Sequence, residues 1–278
     1  MKLEHLAKRF RIDRAAKFRL ADHDPADVCG LTIDKAEAKV MLEEGIERLS
    51  NLQERLYASD RWSVLIVLQA MDAAGKDSVI KHVMTGLNPQ GVEVHAFKQP
   101  SEEELDHDFL WRAAKRLPEC GRIGIFNRSH YEEVLVVRVH PELLAKQHLP
   151  DGVTGPGIWR KRFEDICAFE RSHKEQRKRF LDRIDEPGKR WKFSTADVRE
   201  RKLWPKYMAA FDEMIRATST HKAPWYVVPA DNKWFSRLVV AAALVEALDR
   251  LKLEFPRVRG DMLKELEQAR KLLEREES

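Results

Sequence analysis

The stretch SVLIVLQ, Ser63 to Gln69, limits the fold more than any other part of the chain. An apolar run without alternation belongs to a strand buried on both faces, as in a parallel sheet covered by helices. The next residues narrow the choice: Ala70-Met71-Asp72-Ala73-Ala74-Gly75-Lys76-Asp77, then a helical pattern from Lys76 onward. Strand, Gly-Lys turn and helix are the parts of a phosphate-binding loop. Backbone N–H groups at a helix start surround an anion, and a lysine ammonium neutralises it. Gly75 permits close backbone approach. Ala70 stands where such loops carry their first glycine, and Asp77 where most carry a metal-binding hydroxyl. An ordinary βα turn is the plainer reading, and the strand-before, helix-after context weighs against it.

The other periodic segments fit the same architecture. Lys35 to Leu56 places apolar residues at helical spacing. GVEVHAF (Gly91 to Phe97) alternates as a strand, and GRIGIFN (Gly121 to Asn127) is a third strand. Ser101 with Glu104 has the spacing of a capping box. PWYVVPA (Pro224 to Ala230) is a short late strand, with a core helix after it over Asp231 to Leu251. Residues 1–34 read as an extended arm, and 257–278 as a charged tail whose Met262 to Glu277 forms a solvated helix. The order predicts an α/β fold, a mainly parallel sheet between helices over residues 35–256. Ligands of such sheets bind beyond the carboxyl ends of the strands. Three polar clusters fall there: Asp72 to Ser78, Lys98 to Pro100 and Asn127 to Glu132.

Composition sets outer bounds. The most apolar helix pattern, Leu238 to Leu248, contains Glu246 and is too short to span a bilayer. The basic N-terminus lacks the apolar run of a secretory leader. Cys29, Cys120 and Cys167 are widely spaced with no CxxC pair, which argues against a disulfide framework or zinc site and suits a reducing, cytoplasmic setting. Net charge is +4, but Ile158 to Lys206 carries sixteen Lys and Arg against nine Asp and Glu. A local basic surplus on a near-neutral protein suits a phosphate-rich ligand. A solvated helical face is the bland alternative. No nucleic-acid motif accompanies the surplus.

Within the clusters, individual residues suggest chemistry. A carboxylate inside a phosphate loop repels its ligand unless a cation intervenes, so Asp72 is a candidate Mg²⁺ ligand or a base toward an attacking phosphate. In FNRSHYEE (Phe126 to Glu133), Arg128 suits a bidentate phosphate clamp, with Asn127 beside it and Glu132 a helical turn on. Arg138 lies further along the same helix, facing either phosphate or solvent. His130 reads as structural. RKRFLDRIDEPGKRWKF (Arg177 to Phe193) pairs spaced bases with a Pro-Gly turn, a pattern for a lid over phosphates, here placed at 174–206.

Together, LQAMDAAGKDSVIKHVMTGLNPQGVEVHAFKQPSEEEL, DFLWR, FNRSHYEEVLVVRVHPE, RIDEPGKRWKF and APWYVVPADNKW resemble the polyphosphate kinase 2 family over roughly residues 35 to 255. The resemblance implies a P-loop kinase-like sheet that moves phosphoryl groups between inorganic polyphosphate and nucleotides without a covalent enzyme intermediate. FNRSHYE is similar to the branch that accepts both AMP and ADP. It implies catalytic roles for Asp72, Lys76 and Arg128, and nucleotide binding by Asn127, Glu132 and Arg138. Gly75, Lys76, Arg183, Lys189 and Arg190 would hold polyphosphate. Asp72 and Asn127 would hold Mg²⁺, for which Mn²⁺ is a possible substitute. The implied partners are polyphosphate, adenine nucleotides and further copies of the chain, as a dimer or tetramer, with no nucleic acid and no membrane.

The resemblance breaks at one place. Family sheets have five parallel strands, and only four are legible here. RFEDICAFERSHKEQRKRFLDRI reads as one long helix, with the strand expected before the lid missing near residues 170–173. The shortfall is about fifteen to twenty residues, the length of a strand and its loops. This leaves two alternatives to a polyphosphate-dependent enzyme: an impaired relative that binds nucleotide or polyphosphate, and an ATP-dependent nucleoside monophosphate kinase. The basic lid pattern favours polyphosphate over the latter.

Overall fold

β2 (Val64–Leu68) is the axis of the molecule, and all five of its residues are buried. In the computed structural model, residues 3–12, 15–71, 75–150, 153–155, 157–172, 176–181, 202–256 and 260–276 are described. Before β2 come α1 (Leu3–Phe10), β1 (Arg11–Ile12) and α2 (Lys35–Ser59). After it come α3 (Lys76–Val83), β3 (Val92–Ala96), α4 (Glu102–Leu105), α5 (Trp111–Ala114) and β4 (Ile123–Asn127). A 3-10 turn (His130–Val134) leads to α6 (Val136–Val139), α7 (Pro141–Leu144) and α8 (Ile158–Ser172). β5 (Gln176–Leu181), α9 (Trp204–Thr218), β6 (Trp225–Val227), α10 (Lys233–Asp249) and α11 (Asp261–Glu276) complete the order.

The strands form one sheet in the order β1-β6-β5-β2-β4-β3. Every pairing is parallel except β1 with β6. The register aligns Leu68 and Ala96 with Asn127, so β2, β3 and β4 end level and their loops leave from one edge. Alternation along β2 feeds two cores. Val64, Ile66 and Leu68 join Leu49, Leu56 and Leu238 from α2 and α10, whereas Leu65 and Val67 join Phe126, Ile166 and Met214. α2 begins in the expected manner: the Asp34 carboxylate accepts from the N–H groups of Ala36 and Glu37, and Glu37 reaches back to the N–H of Asp34. Among the described residues, no helix is long and apolar enough to cross a membrane.

Two expectations need correction. Residues 1–34 are not simply an extended arm. α1 buries Leu6, Ala7 and Phe10, and the Phe10 ring meets Phe235 of α10 edge-on at 5.7 Å. Arg11 then lies 3.7 Å from the buried Glu246, and β1 closes the sheet edge. Two helical turns gain burial mainly against α10, a partner more than two hundred residues away.

The second correction concerns the gap. The helix predicted to run through Ile184 ends at Ser172, and Gln176–Leu181 forms a strand between β2 and β6. The sheet therefore has no empty place beside β2. The reason lies in the backbone: a bare β2 edge would leave a row of buried N–H and C=O groups unpaired, at about 1–3 kcal/mol each. The first residues assigned to the lid meet that need. Arg183, Lys189 and Arg190 lie outside the described residues, as do Asp72, Trp191 and Phe193.

Candidate functional site

The site forms where the loops after β2 and β4 meet. Gly75 caps α3 with φ +83°, a left-handed conformation that glycine adopts without strain. Lys76 is buried directly behind it, and its ammonium donates to the carbonyls of Ala70 and Met71, at 3.0 Å each. The lysine thus holds the two carbonyls that lead out of β2. A phosphate arriving at the α3 N-terminus would meet the helix N–H groups and compete for that ammonium.

The β4 loop is tied to the phosphate loop by side chains. The carboxamide of Asn127 donates to Asp77 at 2.8 Å. Beyond it, Arg128 extends the ladder, its N–H donating to Leu68 O at 3.0 Å, with a φ of +63°. A non-glycine residue in that region is strained, and such strain collects at functional sites. The guanidinium of Arg128 lies 3.4 Å from Glu132, and Gln69 donates its amide to the other oxygen of the same carboxylate. Ser129 donates to Gln69 Oε1 at 3.4 Å and caps the 3-10 turn through the N–H of Tyr131. The buried Gln69, at the end of β2, therefore orients the carboxylate carried by the β4 turn.

That turn is braced from below. Buried Arg162 on α8 donates to the carbonyl and carboxylate of Glu133, at 3.0 and 3.2 Å, and to Gln147. Burial holds the Arg162 guanidinium below its usual range, while Glu133 pulls it back up. His130 is buried beside Glu170, which accepts from the Tyr131 hydroxyl at 2.5 Å, in keeping with a structural role.

Lys76, Asn127, Arg128 and Glu132 are therefore brought together. Arg138 is engaged elsewhere: it pairs with Glu213 on α9 and lies 5.9 Å from the Trp159 ring. Three contributors had no assigned role in the sequence. Gln69 is signalled only by being the first polar residue after an apolar strand. Asp77 was recognised as unusual but not as the partner of Asn127. Arg237, which donates to Ser78 of α3 at 3.1 Å, comes from α10 and has no local signature. Against the loop mouth, a cavity of about 820 Å³ opens between Met71, His23 of the N-terminal segment and Trp204 and Phe211 of α9. That is room for a ligand of nucleotide size.

A model of the family described as polyphosphate kinase 2 matches residues 32–256. The chain belongs to the polyphosphate kinase 2 family. The ADP-polyphosphate phosphotransferase of Rhodopseudomonas palustris is 47% identical, with 96% of this chain and 98% of that protein covered. The AMP/ADP-polyphosphate phosphotransferase of Meiothermus ruber is 42% identical, with 90% and 95% covered. The crystal structure of polyphosphate kinase 2 from Arthrobacter aurescens superposes with a TM-score of 0.83 at 35% identity, covering 96% of both chains. The match to the Rhodopseudomonas protein runs over 283 residues, yet 96% of 278 is about 267, so about 16 positions have no residue in this chain.

Proposed function

We propose that the chain phosphorylates AMP to ADP, and ADP to ATP, at the expense of inorganic polyphosphate. The observation that carries this reading is the convergence of the Lys76 loop and the Asn127–Glu132 turn on one sheet edge. One loop suits the end of a phosphate chain. The other offers an arginine and an oriented carboxylate to an acceptor nucleotide. The names of the Rhodopseudomonas and Meiothermus relatives support the substrate class.

A terminal phosphate oxygen of AMP or ADP attacks the end phosphorus of polyphosphate in line. The new P–O bond forms as the bridging P–O bond breaks, and polyphosphate leaves one unit shorter. The transition state is loose and asks for positioning and charge neutralisation rather than covalent help. Lys76 and the α3 N-terminus hold the transferring group, and Arg128 holds the acceptor phosphate. Glu132, fixed by Gln69 and Arg128, shapes the acceptor side, where it favours AMP use. Arg183, Lys189 and Arg190 grip the polyphosphate, and Arg138 steadies α9 beside the nucleotide through Glu213.

A divalent cation fits this edge, because the Asp77 carboxylate and the Asn127 carboxamide, joined at 2.8 Å through the amide nitrogen, each carry a hard oxygen donor. We assign it to Mg²⁺, with Mn²⁺ accepting the same donors and Asp72 as a further ligand. When bound, it neutralises charge on the phosphates.

The test is an exchange of donors. AMP or ADP is incubated with Mg²⁺ and either polyphosphate or ATP, and product nucleotides are separated by chromatography. Product from polyphosphate supports the reading, whereas turnover with ATP alone points to a nucleoside monophosphate kinase. Binding without turnover points to an impaired relative. We infer that the missing positions fall near residues 170–173, where α8 gives way to β5.

A further inference from the structure

α3 is held at two successive residues by side chains from different elements. Asn127 of β4 donates to Asp77, and Arg237 of α10 donates to the hydroxyl of Ser78 at 3.1 Å. The first tie comes from the strand whose loop carries Arg128 and Glu132. The second comes from a helix that carries neither. Arg237 stands on a firm frame: every residue of α10 from Leu238 to Leu248 is buried, and α10 packs along α3. Arg237 is the half-buried residue immediately before that run. Lys233 precedes it by one helical turn, on the same face of α10.

This placement does not serve the stability of α3. Helical side chains lean toward the N-terminus, so the Ser78–Arg237 pair lies over the first turn of α3. A cation there faces the positive end of the helix dipole, and Lys76 already adds one. Asp77 offsets one of the two charges. An anion at the α3 N-terminus turns the same arrangement favourable, and part-burial strengthens the attraction. The acceptor contacts are fixed separately, since Glu132 is held by Gln69 and Arg128. We propose that Arg237 is a positioning residue for the donor: through Ser78 it fixes the first turn of α3 and keeps that helix end electropositive toward polyphosphate, without acting on the acceptor nucleotide. This rests on the polyphosphate reading given above.

Isothermal titration of the full-length protein with polyphosphate, and separately with AMP, tests this. Arg237→Gln keeps an amide that can donate to Ser78 and removes the charge. It is expected to weaken polyphosphate binding about tenfold and to change AMP binding by less than about twofold. The slope of log Kd against log salt concentration should fall by about one unit, as when one phosphate-neutralising charge is lost. Arg237→Lys is expected to recover most of the affinity, and Ser78→Ala to weaken polyphosphate about threefold. A purely structural tie would instead lower the melting temperature, weaken both ligands alike and resist rescue by lysine; that pattern would overturn the proposal. So would polyphosphate binding left unchanged by Arg237→Gln or by Ser78→Ala. A wild-type chain that does not bind polyphosphate would overturn the substrate reading itself, whereas wild-type binding with indifferent variants would overturn this proposal alone.

Discussion

β2 and β5 are neighbours in one sheet and opposites in composition. β2 reads Val-Leu-Ile-Val-Leu, and β5 reads Gln-Arg-Lys-Arg-Phe-Leu. Their register sets Arg177, Lys178 and Arg179 beside Leu65, Ile66 and Val67, which are buried almost completely. Charged residue types at the centre of a sheet oppose folding by several kcal/mol unless paired or able to reach water. Backbone pairing joins the two strands, and apolar burial supports β2 besides. The transfer edge draws on the β2 and β4 side: Lys76, Asp77, Asn127, Arg128, Glu132 and Gln69 all lie on, after or beside those strands. The difference teaches that geometry for chemistry and a weak place in the scaffold coexist in adjacent strands. Changes on the β2 side should alter rate and specificity, and changes on the β5 side should alter stability.

The largest expected effect is on the rate. Lys76→Ala should lower turnover with polyphosphate by about two to three orders of magnitude, as loss of a charge-stabilising donor does elsewhere, with the melting temperature little changed. Gln69→Leu should act on selectivity. A hydrogen bond to a charged carboxylate contributes about 1.5–3 kcal/mol, so its loss should raise the KM for AMP about tenfold and leave saturated turnover of ADP nearly intact. An equal fall in rate for both acceptors would argue against that positioning role.

Asn127→Asp would bring a second carboxylate against Asp77. Without divalent cation, its melting temperature should fall by about 2–4 °C, and Mg²⁺ should restore it. A melting curve indifferent to Mg²⁺ would count against the oxygen-donor pair as a cation site. The smallest effect concerns the N-terminal segment. Burial lowers the affinity of His23 for a proton, against the opposing pull of Asp22 and Asp212. The unfolded chain protonates His23 first, so stability is fully present above about pH 6.5 and declines as pH falls below it. His23→Asn should flatten that decline in thermal scans between pH 7 and pH 5.

Much of the scaffold was legible because its signals are local. The apolar run of β2, the alternation in β3 and the spacing of α2 and α10 each need only their own residues. α10 was expected over 231–251 and spans Lys233–Asp249. α1 and β5 were not legible, for one reason: both owe their form to distant partners, α10 for the first and the bare edges of β2 and β6 for the second. In the site, Lys76, Asn127, Arg128 and Glu132 were readable as a strand-end cluster. Gln69 was missed because nothing in sequence tells a strand-end glutamine that orients a carboxylate from one that faces water. Arg237 was missed because it enters from a helix whose pattern spoke only of core.

The claim that the transfer edge rests on β2 and β4, with β5 setting how firmly the sheet holds, has a direct test. An apolar strand with its loop, about sixteen residues in all, is inserted between Phe169 and His173. Melting temperature is then measured alongside the KM values for AMP and ADP with polyphosphate. The account predicts a higher melting temperature with the ratio of the two KM values unchanged. A lower melting temperature, or a changed preference between AMP and ADP, would contradict it.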